Sequence, residues 1–509
     1  MTAEPTPTSP ADSDPASTRW LFGDQLGEHY LDHPGQPVLI IESRAVFARR
    51  RFHRAKAHLI LSAMRHRAAE LGDQVTYVRA NTYREALAGV DGPLSVRQPT
   101  SWAADRFVRQ LATERDLSVL RARGFSSTHE DFEAWARSRG SRRLLMEDFY
   151  RDARTRLGVL LDGAEPVGGR WNYDHDNREA PPAAGKLDLP GPYLPTEDAI
   201  DEEVRADLDR WEAAGDVSFV GVDGPRVFAA TRAEALAALD VFIDHRLAAF
   251  GPIEDAMLAD EPWMSHSMLS APMNLGLLDP MELVERAEGA FRAGSAPLNS
   301  VEGFVRQVMG WRDYIWHLYW HLGPDYRSRN ALDAHRPIPD WLADLDADAI
   351  GAACLGGVVG DLRARGWVHH IPRLMVLGNW MITHGIDPAA VTDWFHRCFV
   401  DGYDWVMVPN VVGMSQHADH GVVATKPYAS GGAYINRMSD YCGRCRYDPK
   451  VRVGPTACPF TAAYWTFLDD HADDLRRNPR MTRAVNGLSR LADLDGLRTQ
   501  ERARGTAAP

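Results

Sequence analysis

The sequence predicts two unlike halves: an α/β N-terminal domain, Rossmann-like with a mostly parallel sheet, and an all-α C-terminal domain, joined by a long linker. Three observations carry this. Strand-like and helix-like runs alternate over the first 140 residues, the pattern of βαβ units. A stretch dense in Gly, Pro, Asp and Asn follows. From about residue 236 the apolar residues recur at helical spacing.

In chain order, residues 1–18 are rich in Pro, Ser, Thr, Ala and Asp and read as a disordered tail. The α/β domain takes 19–140. "RWLF" (19–22) and "PVLIIES" (37–43) are short apolar runs ended by turn residues, as buried strands are. "RAKAHLILSAMRHRAAELG" (54–72) has helical periodicity and stops at a glycine, and "QVTYVRA" (74–80) alternates like a strand. The linker takes 141–235. The helical domain takes 236–490, where "VEGFVRQVMGWRDYIWHLYWHLG" (301–323) sets Val301, Phe304, Val305, Val308, Met309, Ile315 and Tyr319 on one stripe. "VHHIPRLMVLGNWMITHG" (368–385) also reads as helix. The charged end, 491–509, is expected to fray.

Composition sets limits. The 509 residues are 45% hydrophobic and 25% charged, enough for a sizeable core. No run of 18 apolar residues occurs, so no membrane helix is expected, and the start lacks the basic and apolar regions of a secretory signal. A cytoplasmic location and a monomer are the expectation. The net charge of −13 argues weakly against a nucleic-acid partner. Five cysteines make no disulfide framework, and three of them cluster, which points to metal or catalysis.

Those three are Cys442, Cys445 and Cys458, spaced C-x2-C-x12-C-P. A tight C-x2-C turn suits two ligands of one metal or cluster, and Gly443 lets the backbone fold closely there. An iron–sulfur cubane needs four thiolates. Cys354 and Cys398 are the remaining candidates; Cys398 lies in an aromatic, apolar helix and reads as core, so Cys354 is preferred. Spacing alone leaves a cubane, a zinc site and unligated thiols all open.

Other stretches could carry chemistry. Ser267, Ser270 and Asn274 precede a helix, where hydroxyls and free N–H groups can hold phosphate, although serines there are ordinarily caps. His369 and His370 are adjacent, so on a helix only one faces a given pocket. Arg373 could pair with Asp401 or Asp404. From Lys426 to Arg452 six basic residues meet two acidic ones, interleaved with Tyr428, Tyr434, Tyr441 and Tyr447; this suits a nucleic-acid surface or the solvated rim of a metal site.

Together these stretches resemble the photolyase/cryptochrome family, in particular its bacterial iron–sulfur branch, the prokaryotic (6-4) photolyases. The motifs are "FGDQL" (22–26), "SAMRH" (62–66), "GGRWNYDHDNR" (168–178), "HSMLSAPMNLGLLDP" (266–280), "VEGFVRQVMGWRDY" (301–314), "HHIPRLMVLGN" (369–379), "VPNVVGMSQHAD" (408–419) and "KPYASGGAYINRMSDYCGRCRYDP" (426–449).

The resemblance implies FAD in the helical domain, with Ser267, Met268, Leu269 and Ser270 at its phosphates and Asn274, Trp311, Arg312, Arg373, Asp401 and Asp404 around it. It implies a [4Fe–4S] cluster on Cys354, Cys442, Cys445 and Cys458. His370, with His369 beside it, matches the catalytic histidine; Tyr428 and Tyr434 lie by the DNA pocket, and Trp394 belongs to the catalytic set. A 6,7-dimethyl-8-ribityllumazine antenna would sit near Gly23, Asp24, Gln25 and Glu42. The implied partner is UV-damaged DNA with a flipped-out lesion, and the implied reaction is light-driven repair of (6-4) photoproducts by reduced FAD. A non-repairing photoreceptor and a light-independent redox protein are the competing readings. The chain departs from relatives at "DLDADAIGAAC" before Cys354, and at Val46, Phe395 and Met407.

Overall fold

A computed structural model describes residues 17–509. The expected N-terminal tail lies outside these residues except for Ser17 and Thr18, and Thr18 already opens the first strand. Five strands form one parallel sheet: β1 (Thr18–Leu21), β2 (Val38–Ser43), β3 (Val75–Ala80), β4 (Leu94–Arg97) and β5 (Leu117–Leu120), in the order β3-β2-β1-β4-β5. Trp20 of β1 stands opposite Leu39 of β2 on one side and Val96 of β4 on the other. β1 and β2 are buried on both faces, which is why they read as continuous apolar runs. The strand order reverses between β1 and β4. In doubly wound sheets the crevice at that reversal, beyond the strands' C-terminal ends, is where ligands bind.

The helix Arg54–Leu71 returns the chain from β2 to β3 and ends at Gly72, whose φ of +53° only glycine adopts readily.

The stretch 141–235 is more than a draped linker. The helix Met146–Leu157 buries Phe149 and Tyr150. The helix Ala199–Ala213, closed by an Asp198/Asp201 capping box, buries Val204, Leu208 and Trp211 in one cluster with Ala57 and Leu61 of Arg54–Leu71. Each carries an apolar stripe that the Gly- and Pro-rich surroundings mask in a composition scan.

The C-terminal half is helical. The stripe at 301–323 is buried as spaced, but its helix is not continuous: the π-helical turns Arg306–Arg312 separate Leu298–Val305 from Asp313–His321. Pro372–Gly378 and Asn410–Ser415 are also π-helical. Such wide turns gather at functional sites because they re-aim side chains.

The end of the chain does not fray. The helix Leu494–Arg504 buries Leu497 completely, and Arg498 grips both oxygens of Asp469 at 2.6 and 2.8 Å. Part of its polar character is bonded to the protein: Arg498 to Asp469, Gln500 to the Arg452 carbonyl.

Candidate chromophore and cluster sites

Asp401 joins three segments. Arg373, from a π-helical turn, reaches both of its oxygens at 2.9 Å. Ser270 Oγ donates to Asp401 Oδ2 at 2.7 Å, and Asn274 Nδ2 donates to the Asp401 carbonyl at 3.1 Å. Arg373 is steadied by the Val368 carbonyl at 2.7 Å and by the Phe399 ring beneath it, 4.3 Å from the centroid.

Before Ser270 the backbone turns sharply. Met268 has φ +61°, a left-handed conformation that a side chain adopts at a cost, and Leu269 follows in the right-handed region. Alternation of this kind turns successive N–H groups into one concavity, which suits an anion such as a phosphate. Ser267, Met268, Leu269, Ser270, Asn274, Arg373 and Asp401 therefore form one neighbourhood.

Arg312 and Asp404 have other commitments. Arg312 donates to the Gly124 carbonyl at 2.8 Å and lies over Phe125 and Trp405, while Asp404 accepts from Tyr319 at 2.7 Å and Arg327 at 3.2 Å. Arg312 fastens the helical half to a loop of the α/β domain, and Asp404 ties together segments within the helical half. Trp311 is half-buried, edge-on to Tyr314.

The adjacent histidines diverge. His369 is buried and stacks on His266, centroids 4.3 Å apart, while His370 is exposed. His370 opens to solvent from a recess with protein on most sides, and that enclosure, then Arg373, pushes its pKa down to about 4. His266 falls to about 3, first by burial and then by His370. All three imidazoles are neutral near pH 7.

Residue types alone did not reveal the polar group beside them. Glu254 is buried, its pKa pushed up to about 8 by burial against the pull of Arg306; burial, then Asp174, raises Asp255 to about 6. Asp174 and Arg178 come from "GGRWNYDHDNR". Tyr434, raised to about 12 by burial and then Asp255, and Tyr428 share the field of Arg178 and Asp255. The signal available in the sequence was "IED" in an apolar setting shortly before "HSMLS".

Trp394 is wholly buried, its indole donating to the Leu342 carbonyl at 2.9 Å. Phe395 and Phe399 stack beside it, 5.2 Å apart.

In the α/β domain, Gly23, Asp24 and Gln25 leave β1 at the sheet's reversal. Thr100, past the end of β4, donates to Asp24, and Gln25 Nε2 donates to the Arg97 and Gln98 carbonyls at 3.2 and 3.3 Å. Gln25 Oε1 is buried without a partner among the described residues. An orphan acceptor there fits a heterocycle with an N–H. Glu42, on β2, is bonded within the protein. Arg65 holds both its oxygens at 3.0 and 2.9 Å and Tyr77 donates to one at 2.6 Å, so its carboxylate is already engaged.

Cys354, Cys442, Cys445 and Cys458 line one small cavity. Cys354 is on the helix Ala353–Arg365, Cys442 in the turn Tyr441–Arg444, and Cys458 caps the helix Pro459–Asp470. Burial and then the neighbouring cysteines hold the thiols of Cys354 and Cys442 protonated, Cys442 at about 12. Such crowding favours a positively charged guest that takes up the thiolates. No three of the four sulfurs lie within 4.8 Å of one another. Cys398 is fully buried elsewhere. His66, Asp198 and Asp201 do bring three ligand atoms that close, but Arg226 already holds both oxygens of Asp201 at 2.7 and 3.0 Å.

The basic segment is partly neutralised: Arg444 pairs with Asp260 at 2.6 Å and Arg452 with Asp493 at 3.2 Å. Lys426 and Arg437 lie over the rings of Tyr428 and Tyr434.

A photolyase fold is what these two halves make. A class III photolyase from Agrobacterium tumefaciens superposes with a TM-score of 0.56 at 18% identity, covering 92% of this chain and 99% of that one. A cryptochrome of Synechocystis gives 0.51 at 12%, covering 79% and 83%. A family model described as deoxyribodipyrimidine photo-lyase-related protein matches residues 19–218. A (6-4) photolyase of Agrobacterium fabrum is 39% identical over 500 residues, 93% of this chain and 95% of that protein. The chain belongs to the photolyase/cryptochrome family, and membership implies FAD as its cofactor.

Among the described residues no helix is long and apolar enough to cross a membrane.

Proposed function

We propose that this chain is a light-driven DNA-repair lyase acting on (6-4) pyrimidine photoproducts. The observation that carries the reading is His370, solvent-facing beside the Arg373–Asp401 pair, in a chain 39% identical to a named (6-4) photolyase. Reduced FAD, bound and excited, supplies the electron for such chemistry. The chain's own residues do the rest. Arg373 and Asp401 hold one edge of the flavin site and exclude water from it. His370 offers an imidazole N–H to a lesion oxygen, and its low proton affinity keeps it neutral until a bound phosphate raises it. Tyr428 and Tyr434 give flat faces on which a flipped-out base can stack, at less cost for a damaged, weakly paired nucleotide.

The four cysteines are read as ligands of a [4Fe–4S] cluster. The support is that all four cysteines line one cavity and that no three of their sulfurs lie within 4.8 Å of one another. A lumazine antenna at Gly23, Asp24 and Gln25 is supported by the sheet's reversal point and the orphan Gln25 oxygen.

The test is an oligonucleotide carrying one (6-4) lesion, given to reduced, illuminated protein. Recovery of intact thymines is expected. No recovery with FAD bound would favour the photoreceptor reading.

A further inference from the structure

We propose that Lys56, a residue of the α/β domain, is a positioning residue of the flavin site, its ammonium holding the turn that presents Asp401. The inference rests on the reading that Arg373 and Asp401 border FAD.

Lys56 lies on the helix Arg54–Leu71 with only 3% of its surface exposed. Among the described residues its bonded partners are carbonyls. Nζ donates to the His396 carbonyl at 2.6 Å and to the Gly402 carbonyl. The rings of Phe52 and Tyr403 flank it at 5.2 and 5.6 Å from their centroids.

These carbonyls are not arbitrary. His396 is in the last turn of the helix Pro388–Cys398, where carbonyls lack intrahelical partners and the helix dipole favours a cation. The His53 N–H donates to the next carbonyl, Arg397, at 2.8 Å, so one turn of the α/β domain closes the end of this helix. Gly402 adjoins Asp401, and the turn folds back so tightly that a Cβ at Gly402 would lie 2.8–3.0 Å from the Phe395, Phe399 and His396 carbonyls. The ammonium thus ties the helix end to the far side of the turn, with Asp401 between the two tie points. Burying an amine this completely is costly, and it pushes the Lys56 pKa down to about 7.

The groups facing Lys56 are Asp401, Asp393, Arg50, Cys398, His53, His396 and Tyr403. Burial holds Cys398 up to about 12 and Tyr403 well above its ordinary value, and holds His53 down at about 4 and His396 well below its ordinary value, so none of these four changes charge near pH 7.

The experiment follows FAD release from the full chain by recovery of flavin fluorescence, in K56M, K56R and D401N. Release about tenfold faster than wild type is expected for K56M, the effect of losing a charged hydrogen bond, with the melting temperature of the FAD-free chain moving little. Wild-type release should also accelerate between about pH 6 and pH 8.5 as the ammonium loses its proton, while K56M stays flat. Wild-type release from K56M overturns the proposal. If K56M does not fold, K56R decides: its longer, planar head replaces a point charge fully buried against the two carbonyls and must displace the turn to fit, so faster release supports the proposal and unchanged release overturns it. Wild-type release from D401N would instead overturn the reading of the site itself; fast release from D401N with slow release from K56M removes Lys56 alone.

Discussion

Arg373 and Asp401 face each other in a two-pronged pair, both contacts 2.9 Å, 28 positions apart in the chain. The pair is more than a surface ion bridge. Asp401 is 4% exposed, and Ser270 and Asn274 bond to the same residue. Four side chains from three stretches of sequence therefore share one geometry.

Removing one partner of such a pair leaves the other charge buried and alone, which is more damaging than losing an exposed bridge. Asp401→Asn should purify with less than about a tenth of the wild-type FAD. Flavin absorbance per chain checks this.

His370 is expected to act at the lesion and not at the flavin. His370→Ala should retain FAD yet lose photochemical repair by at least about a hundredfold, the usual scale for a lost proton donor. Single-turnover repair under a calibrated flash separates this from weaker DNA binding, and full repair by the variant would remove the assigned role.

The cysteines divide four to one. Cys354→Ser should lose iron and the broad absorption near about 400 nm, while Cys398→Ser, a buried cysteine remote from the cavity, should keep both. Elemental analysis decides. Zinc without iron in the wild type would end the cubane reading.

Glu254 offers a pH signature. Its folded pKa, about 8, is above the ordinary value of 4.5. The folded state therefore binds this proton more tightly than the unfolded one, and the stability it confers is full at acid pH and lost as pH rises to about 8. Glu254→Gln should melt higher than wild type at pH 8 and no higher at pH 4.5, by scanning calorimetry at both.

The last helix clasps the loop that leads to Cys458. Gln500 bonds Gly454 N–H and the Arg452 carbonyl at 2.8 and 3.0 Å, and Leu497 fills the core beneath. Leu497→Ala should cost about 3 kcal/mol of stability, as buried leucine truncations do, read from denaturant midpoints.

The two-part architecture was legible in the sequence because hydrophobic periodicity is a local property. β1 and β2 announced themselves as apolar runs, the helix Arg54–Leu71 by its spacing and its glycine stop. That Cys442, Cys445 and Cys458 lie together was legible too, since they are close in sequence; that Cys354 lines the same cavity is set by the tertiary fold. Leu494–Arg504 was not legible, because seven polar side chains look alike whether they bond to water or to the protein. The partners of Glu42 were hidden for a related reason: a carboxylate's engagement depends on Arg65 and Tyr77, outside its own strand.

The sequence by itself determined the alternation of strands and helices, the ligand types and the family motifs, all of which depend on neighbours a few residues apart. Only the tertiary structure decided which charges meet. It set Asp401 against Arg373, led Arg312 and Asp404 to other partners, exposed His370 while burying His369, and brought Lys56 from the α/β domain to the turn beside Asp401. Those outcomes depend on distances of a few ångströms between residues remote in sequence, and electrostatic and hydrogen-bond energies change over just that range.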